Sequence, residues 1–404
     1  MRLSRTAAFY LQASIILFFL AGSSAPTPIY AVYQAAWGFS PVTITVVFGS
    51  YALAVLAALL VVGSLSDHVG RRPVLIVAAL VQAGAMVMFA TAHGVTALIA
   101  ARVIQGLSTG AAASAVGAGL LDLDRARGTV ANAVSPMLGT ATGSVASGLM
   151  VQYLPAPTQL VYVVLGVIFV AQAIGVAMMP EPVAPRPGAL ASLRPQLRLP
   201  QALRRPLLLA APALVAAWAL AGFYASLGPA FLRRLTASSS LALGGTALFV
   251  LAGSGALTVL VMRARSSRAM MTFGTAALVV GVATTLLAMA HASVGVFFLG
   301  AVIAGAGFGA GFQGAIRSVL PLAGPRDRAG VLSLLYVIAY LAMGLPAVVG
   351  GLRVVHGGGV LSTAREYGVA VMVLAALALL GTLLRRPVAA TGSPALASTA
   401  PTRS

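Results

Sequence analysis

The sequence predicts an all-α membrane protein with twelve transmembrane helices in two six-helix, pseudo-symmetric halves. Three observations predict this fold: an apolar composition, twelve apolar runs of membrane-spanning length, and arginines concentrated in alternate connections. Of the 404 residues, 60% are hydrophobic and 8% are charged, whereas soluble domains carry about 25% charged residues. The chain therefore belongs in lipid, and the bilayer is its first predicted partner.

The apolar runs are long enough to cross a membrane as helices. A helix rises about 1.5 Å per residue, so ~20 apolar residues cross the ~30 Å hydrocarbon core. Lipid offers no partner to a free backbone amide, which excludes isolated strands. The first run follows Arg2 and Arg5 like a signal peptide, but it continues past Pro26, and we expect it to be retained. The predicted helices cover residues 9–32, 42–64, 73–91, 95–120, 129–153, 159–179, 206–228, 241–262, 269–290, 293–318, 329–351 and 367–384.

The arginines orient these helices. All 25 basic residues are arginine, against six acids. With the amino terminus inside, twenty arginines fall in cytoplasmic segments, and the outer segments hold Arg233, Arg234, Arg353 and Arg365. This positive-inside pattern predicts that both termini are cytoplasmic. Arginine in place of lysine, with abundant alanine and glycine, indicates a high-GC bacterium and hence a multi-pass inner-membrane protein. Short arginine clusters between apolar runs do not form the continuous basic face of a nucleic-acid binder.

The helices divide into two halves that repeat each other. The predicted domains are an amino-terminal half at 1–180, a cytoplasmic linker rich in proline and arginine at 181–205, a carboxy-terminal half at 206–386 and a disordered cytoplasmic tail at 387–404. Ala92-His93 recurs as Ala290-His291, an offset of 198 residues. Parallel six-helix repeats are typical of a large class of transporters, whose substrate site lies between the halves.

The connection between the second and third helices carries a motif. Its residues are Gly63, Asp67, Gly70, Arg71 and Arg72. Gly63 permits close helix approach, Gly70 permits a tight turn, and Asp67 can face Arg71 or a helix amino terminus. An ordinary charged turn would satisfy the same pattern.

This stretch resembles the signature of the major facilitator superfamily between helices two and three. The resemblance implies that family's fold. It also implies that Asp67 and Arg71 hold the cytoplasmic side closed through contacts with the eleventh helix. The corresponding second-half segment, residues 263–268, lacks the acid and both glycines.

Arg102 is the charged residue that falls inside a predicted helix. A charge there costs at least ~2.5 kcal/mol, which makes it a functional candidate. The alternative is that its side chain reaches the outer interface, ~10 Å away along the helix. Arg102, Gln105 and Gly106 resemble a fourth-helix element of drug and metabolite exporters in the superfamily, and this resemblance implies a role in proton coupling.

The acids lie outside the membrane core. Five are predicted to be cytoplasmic, and Glu366 lies at the outer edge of the last helix. Proton-coupled exchange of cations usually uses a carboxylate within the membrane, so its absence favours neutral or anionic substrates. We expect Tyr30, Tyr33 and Trp37 to form an outer interfacial belt. The candidate cavity-lining residues are Ser23, Ser24, Gln105, Trp218, Phe223, Tyr224, Tyr336 and Tyr340.

The sequence thus predicts a secondary transporter that works by alternating access and exports a small organic or drug-like molecule. An importer or uniporter for a small organic anion or neutral metabolite is the alternative, and a non-transporting membrane sensor is a remote one. The chain has no cysteine, and no paired acids lie in its helices, so we predict that it is not an enzyme. We expect a monomer with a small-molecule substrate, no metal and no cofactor, and proton coupling is left open.

Overall fold

The computed structural model describes residues 3–181, 183–195, 200–238, 240–324 and 327–384, and the predicted tail at 387–404 lies outside them. The described residues form helices and connections, with no strand among them. The helices are α1 Arg5–Ser24, α2 Pro26–Trp37, α3 Pro41–Val61, α4 Ser66–Val69, α5 Arg71–Ala90, α6 Val95–Leu123, α7 Arg125–Tyr153, α8 Leu160–Ala177, α9 Ala189–Ser192, α10 Gln201–Ser226, α11 Gly228–Thr236, α12 Leu241–Val261, α13 Ser267–Ala290, α14 Val294–Val319, α15 Arg328–Arg353 and α16 Gly359–Leu383.

Ten stretches of the described chain are long and apolar enough to cross a membrane. One of them is a 54-residue stretch, Gly330–Leu383, that contains α16 and all of α15 after its first two residues. The 29-residue helix α7 is not among the ten, because glycine, serine and threonine lower its hydropathy. The predicted all-helical, multi-spanning fold is confirmed, and the count of twelve stays a prediction.

Local chemistry explains where many helices begin. Ser4, Asp124, Ser266 and Ser293 each accept a hydrogen bond from the amide three residues later, as N-cap side chains do. The observed helix ends lie close to the predicted ones. The largest differences are at α16, which begins at Gly359 rather than near residue 367, and at α11, which ends at Thr236 rather than near residue 228. Two predicted helices are broken, the first at Ala25 and the seventh at Leu227.

The buried apolar residues form two large clusters. One consists of side chains from residues 8–179, and the other combines α10 to α16 with part of α7. The two sets of helices meet where α7 packs on α12 and α3 packs on α15. We call the side where α1 begins the arginine-rich face, and the side where α2 ends the opposite face.

Candidate functional site

The first membrane segment is broken where Pro26 follows Ala25. Proline has no amide N–H, so the carbonyl of Gly22, four residues earlier, loses its intrahelical donor. Gln105 of α6 replaces that donor, because its Nε2 donates to the Gly22 carbonyl at 3.0 Å. A side chain singled out by the sequence therefore stabilises the break.

Arg102 lies one turn before Gln105 on α6, and its side chain is 0% exposed. Its Nη1 donates to the Ser23 carbonyl at 2.8 Å and to Gln105 Oε1 at 2.7 Å. Its Nε donates to the Tyr30 hydroxyl at 2.8 Å. These contacts hold the guanidinium at the break between α1 and α2, so the alternative in which Arg102 reaches the outer interface is wrong.

Aromatic rings surround the same guanidinium. Its carbon lies 5.5 Å from the ring centre of Tyr30, 5.3 Å from that of Tyr51 and 5.7 Å from that of Phe89, within the range of cation–π attraction. Tyr30 and Tyr33 are both buried, so the prediction that they form an interfacial belt is wrong. The hydrogen-bond acceptors and rings around Arg102 are neutral. Arg102 is permanently charged, and none of its described contacts is a carboxylate.

Neighbouring residues extend this polar interior. A Cβ at Gly106 would lie 2.7 Å from the Tyr51 carbonyl, so glycine is what allows α6 to lie against α3. The Ser24 hydroxyl is buried and donates within its own helix. Gln82 of α5 is fully buried, and neither of its amide atoms hydrogen-bonds to another of the described protein groups. Among these predicted residues, Ser23 and Gln105 contact Arg102 directly, whereas Ser24 bonds within its own helix and Gly106 lies against α3.

A second cluster lies in the carboxy-terminal half. The Trp218 ring centre is 5.2 Å from Phe312, 5.2 Å from Tyr340 and 6.2 Å from Phe308. Tyr336 lies 6.5 Å from Phe312. Three predicted lining residues, Trp218, Tyr336 and Tyr340, are thus adjacent. Phe308 and Phe312 were missed because nothing in the sequence separates them from ordinary apolar residues.

The remaining two predicted lining residues lie elsewhere. Phe223 packs 5.2 Å from Tyr367, and Tyr224 stacks 6.0 Å from Phe297, measured between ring centres. Both belong to the buried core of the carboxy-terminal half. They border a cavity of about 20 Å³, which is room for about one water molecule and too small for an organic substrate.

The motif between α3 and α5 forms a tight turn on the arginine-rich face. Gly70 has φ of +100°, a conformation that side chains rarely adopt. Arg71 is buried, and its guanidinium bonds to the carboxylate of Asp67, to Ser66 Oγ at 2.6 Å and to Asp122 Oδ2 at 3.3 Å. These partners all belong to the amino-terminal half. The implied contact with the eleventh helix stays a prediction.

Glu181, which is not among the predicted site residues, joins the linker to this turn. Its carboxylate accepts from the amides of Arg71 at 2.9 Å and Arg72 at 2.8 Å, so it satisfies two free donors at the start of α5. A Cβ at Gly70 would meet the same carboxylate at 2.7 Å. The Arg72 guanidinium donates to the Ala177 carbonyl. Gly63 lies in the turn residues between the end of α3 at Val61 and the start of α4 at Ser66.

The halves are hydrogen-bonded to each other at the opposite face. Among the described residues, three hydrogen bonds cross between them, and all three lie there. Gly351 packs so closely on Thr45 that a Cβ would lie 2.2 Å from its hydroxyl. We call this contact region the seam. Its hydrogen bonds run from Thr27 Oγ1 to the Ala225 carbonyl (3.2 Å), from Ser144 Oγ to the Gly245 carbonyl (3.0 Å) and from the Leu241 amide to Gln152 Oε1 (2.9 Å).

The family model described as Major Facilitator Superfamily matches residues 13–283, which include the turn, Arg102 and Gln105. The chain belongs to the major facilitator superfamily. Among curated proteins, none matches it in sequence. The family is one of membrane transporters, so a small-molecule substrate and a lipid environment follow.

Solved structures of this superfamily share the fold. A nucleoside transporter, NupG (D323A mutant), has a TM-score of 0.70 and 13% identity, over 93% of this chain and 99% of that one. The human organic anion transporter MFSD10 (TETRAN) has a TM-score of 0.66 and 18% identity, over 93% and 100%. At this identity, the similarity shows the fold alone.

In the part of the chain that the structure describes, no three His, Asp or Glu side chains are grouped to hold a metal ion. The candidate site consists of a buried cation, Arg102, and a separate aromatic cluster around Trp218. Such groups can bind and orient a small molecule.

Proposed function

We propose that this superfamily member is a secondary transporter that works by alternating access, in which the two halves rock about a central site and export a small organic or drug-like molecule. The seam is the observation that carries the proposal. Alternating access requires two faces that close in turn, and the described hydrogen bonds between the halves all lie at one face. These contacts support a state in which the opposite face is closed.

Arg102 supports a substrate that is neutral or anionic. Its charge is buried among neutral groups, and no acid lies in the predicted membrane core to attract a cation. The aromatic cluster around Trp218 offers stacking surfaces to an organic molecule. The two solved neighbours transport nucleosides and organic anions, respectively, by their names. These observations favour the second candidate, an importer or uniporter of a small organic anion or neutral metabolite.

In this proposal the arginine-rich face is cytoplasmic in a bacterial inner membrane, since cytoplasmic loops carry the excess of arginine. The protein acts as a monomer and needs no cofactor. The motif residues Gly63, Asp67, Gly70, Arg71 and Arg72 act in closing the cytoplasmic side. Arg102, Gln105 and Gly106 act in coupling or substrate attraction.

Flux measurements in proteoliposomes test the proposal. A panel of drugs, nucleosides and organic anions is supplied to wild type, Arg102→Ala and Asp67→Asn, with a pH-sensitive dye inside the vesicles. Proton movement that follows substrate and disappears in Arg102→Ala supports proton-coupled export. Substrate movement without protons removes antiport and favours the uniporter. Specific binding with no flux of any compound contradicts transport itself.

A further inference from the structure

The seventh membrane segment is broken in the same way as the first. α10 ends at Ser226, and α11 begins at Gly228 with Pro229 in its first turn. Pro229 lies 203 residues after Pro26, close to the offset of the sequence repeats. Because proline has no N–H, the carbonyl of Ala225 loses its intrahelical donor, as that of Gly22 does.

The carboxy-terminal half has no counterpart of Gln105 to replace that donor. Residues 304–308, at the corresponding place in α14, are alanine, glycine and phenylalanine. None of these has a side-chain donor. A carbonyl left unpaired away from water is costly, so a donor from another element stabilises this break.

The amino-terminal half supplies the donor. Thr27 lies in the first turn of α2, directly after Pro26, and it is 1% exposed. Its Oγ1 donates to the Ala225 carbonyl at 3.2 Å. This hydrogen bond therefore joins the two broken membrane segments, one from each half. Its acceptor is the Ala225 carbonyl oxygen, which Pro229 leaves without an intrahelical donor.

We propose that Thr27 stabilises closure of the opposite face by hydrogen-bonding the carbonyl that Pro229 leaves free. This inference rests on the proposed alternating access. When the halves separate at this face, water reaches Ala225 and replaces the hydroxyl. The hydrogen bond thus favours the closed state alone, and Thr27 is a positioning residue for transport.

The matched variants Thr27→Val and Thr27→Ser test this role. Valine keeps the shape and removes the hydroxyl, whereas serine keeps the hydroxyl. Because the chain has no cysteine, Thr45→Cys introduces a single thiol whose labelling reports opening of the seam. Thr45 is 0% exposed and is covered by Gly351. Purified protein in nanodiscs is labelled with a maleimide. Thr27→Val is expected to raise the labelling rate about tenfold, equivalent to ~1.4 kcal/mol, and Thr27→Ser to leave it unchanged.

A second background shows whether the effect acts through Ala225. Pro229→Ala restores the N–H, so the carbonyl regains an intrahelical donor, and Thr27→Val should then change labelling less than about twofold. Equal rates for Thr27→Val and Thr27→Ser overturn the proposal, as does a full tenfold effect in the Pro229→Ala background. Ser40→Cys, at an exposed position, controls for reagent reactivity. The labelling assay needs no substrate, so it tests the role of Thr27 even if the flux assays detect no transport.

Discussion

The contacts of Arg102 show how a charge is held inside a membrane protein without a carboxylate partner. A broken helix exposes carbonyl groups that an unbroken helix would use internally. The guanidinium and Gln105 donate to two such carbonyls, those of Ser23 and Gly22. The cation and the break stabilise each other, which is why both lie at the same depth.

Tyr30→Phe is expected to destabilise the protein by about 1–3 kcal/mol, because two guanidinium nitrogens of a buried charge lose their acceptor. The Tyr30 hydroxyl accepts from both Nε and Nη2 of Arg102. The measurement is thermal unfolding in detergent. Tyr10→Phe is the matched control, since Tyr10 is 62% exposed. Equal unfolding temperatures for the two variants would show that the Tyr30 hydroxyl does not hold Arg102.

The sequence identified Arg102 because a charge in an apolar run is visible without a structure. It placed Tyr30 wrongly because a tyrosine near a helix end usually lies at the interface. Tyr30 instead reaches Arg102 of α6, and that contact depends on three-dimensional packing between residues 72 positions apart. Gln105 was selected with Arg102, but its contact with the Gly22 carbonyl joins positions 83 residues apart.

At the scale of elements, the start of α5 depends on a residue far away in the chain. Glu181 lies 110 residues after Arg71, and its carboxylate satisfies two amides at this helix start. The linker then folds along the turn, where the Arg186 amide donates to the His68 carbonyl at 2.8 Å. Hydropathy predicts where helices lie, but it carries no information on such contacts of a polar linker.

Glu181→Ala is expected to loosen the linker and the first turn of α5. Loss of a capping carboxylate costs about 0.5–2 kcal/mol, and a loss of about 1–2 kcal/mol corresponds to roughly 5- to 30-fold faster amide exchange. Hydrogen exchange with mass spectrometry measures this over residues 64–75 and 183–195. Glu366→Ala removes an acid at the opposite face and should leave both segments unchanged. Unchanged exchange in Glu181→Ala would contradict the capping role.

At the scale of the whole molecule, the halves meet through glycines as well as hydrogen bonds. A Cβ at Gly245 of α12 would lie 2.4 Å from the Ser144 carbonyl, whereas a Cβ at Gly253 of the same helix meets nothing within 4 Å. Gly245→Val is therefore expected to hold the seam apart and to raise labelling of Thr45→Cys at least tenfold, and Gly253→Val to have no effect. Similar labelling of Thr45→Cys in the two variants would mean that a side chain that pushes α12 away from α7 does not open the seam.

If the seam opens and closes in each transport cycle, then fixing it shut must stop transport reversibly. A Cβ at Gly351 would lie 3.0 Å from that of Thr45, near the ~3.5–4.5 Å separation found in disulfides. Thr45→Cys combined with Gly351→Cys should form a disulfide under oxidation, since the chain has no other cysteine. Flux should fall at least tenfold when oxidant is added and recover with reductant, while Thr45→Cys alone stays active in both. Full flux in the cross-linked protein would show that the substrate crosses without opening of the opposite face, and alternating access at this seam would be wrong.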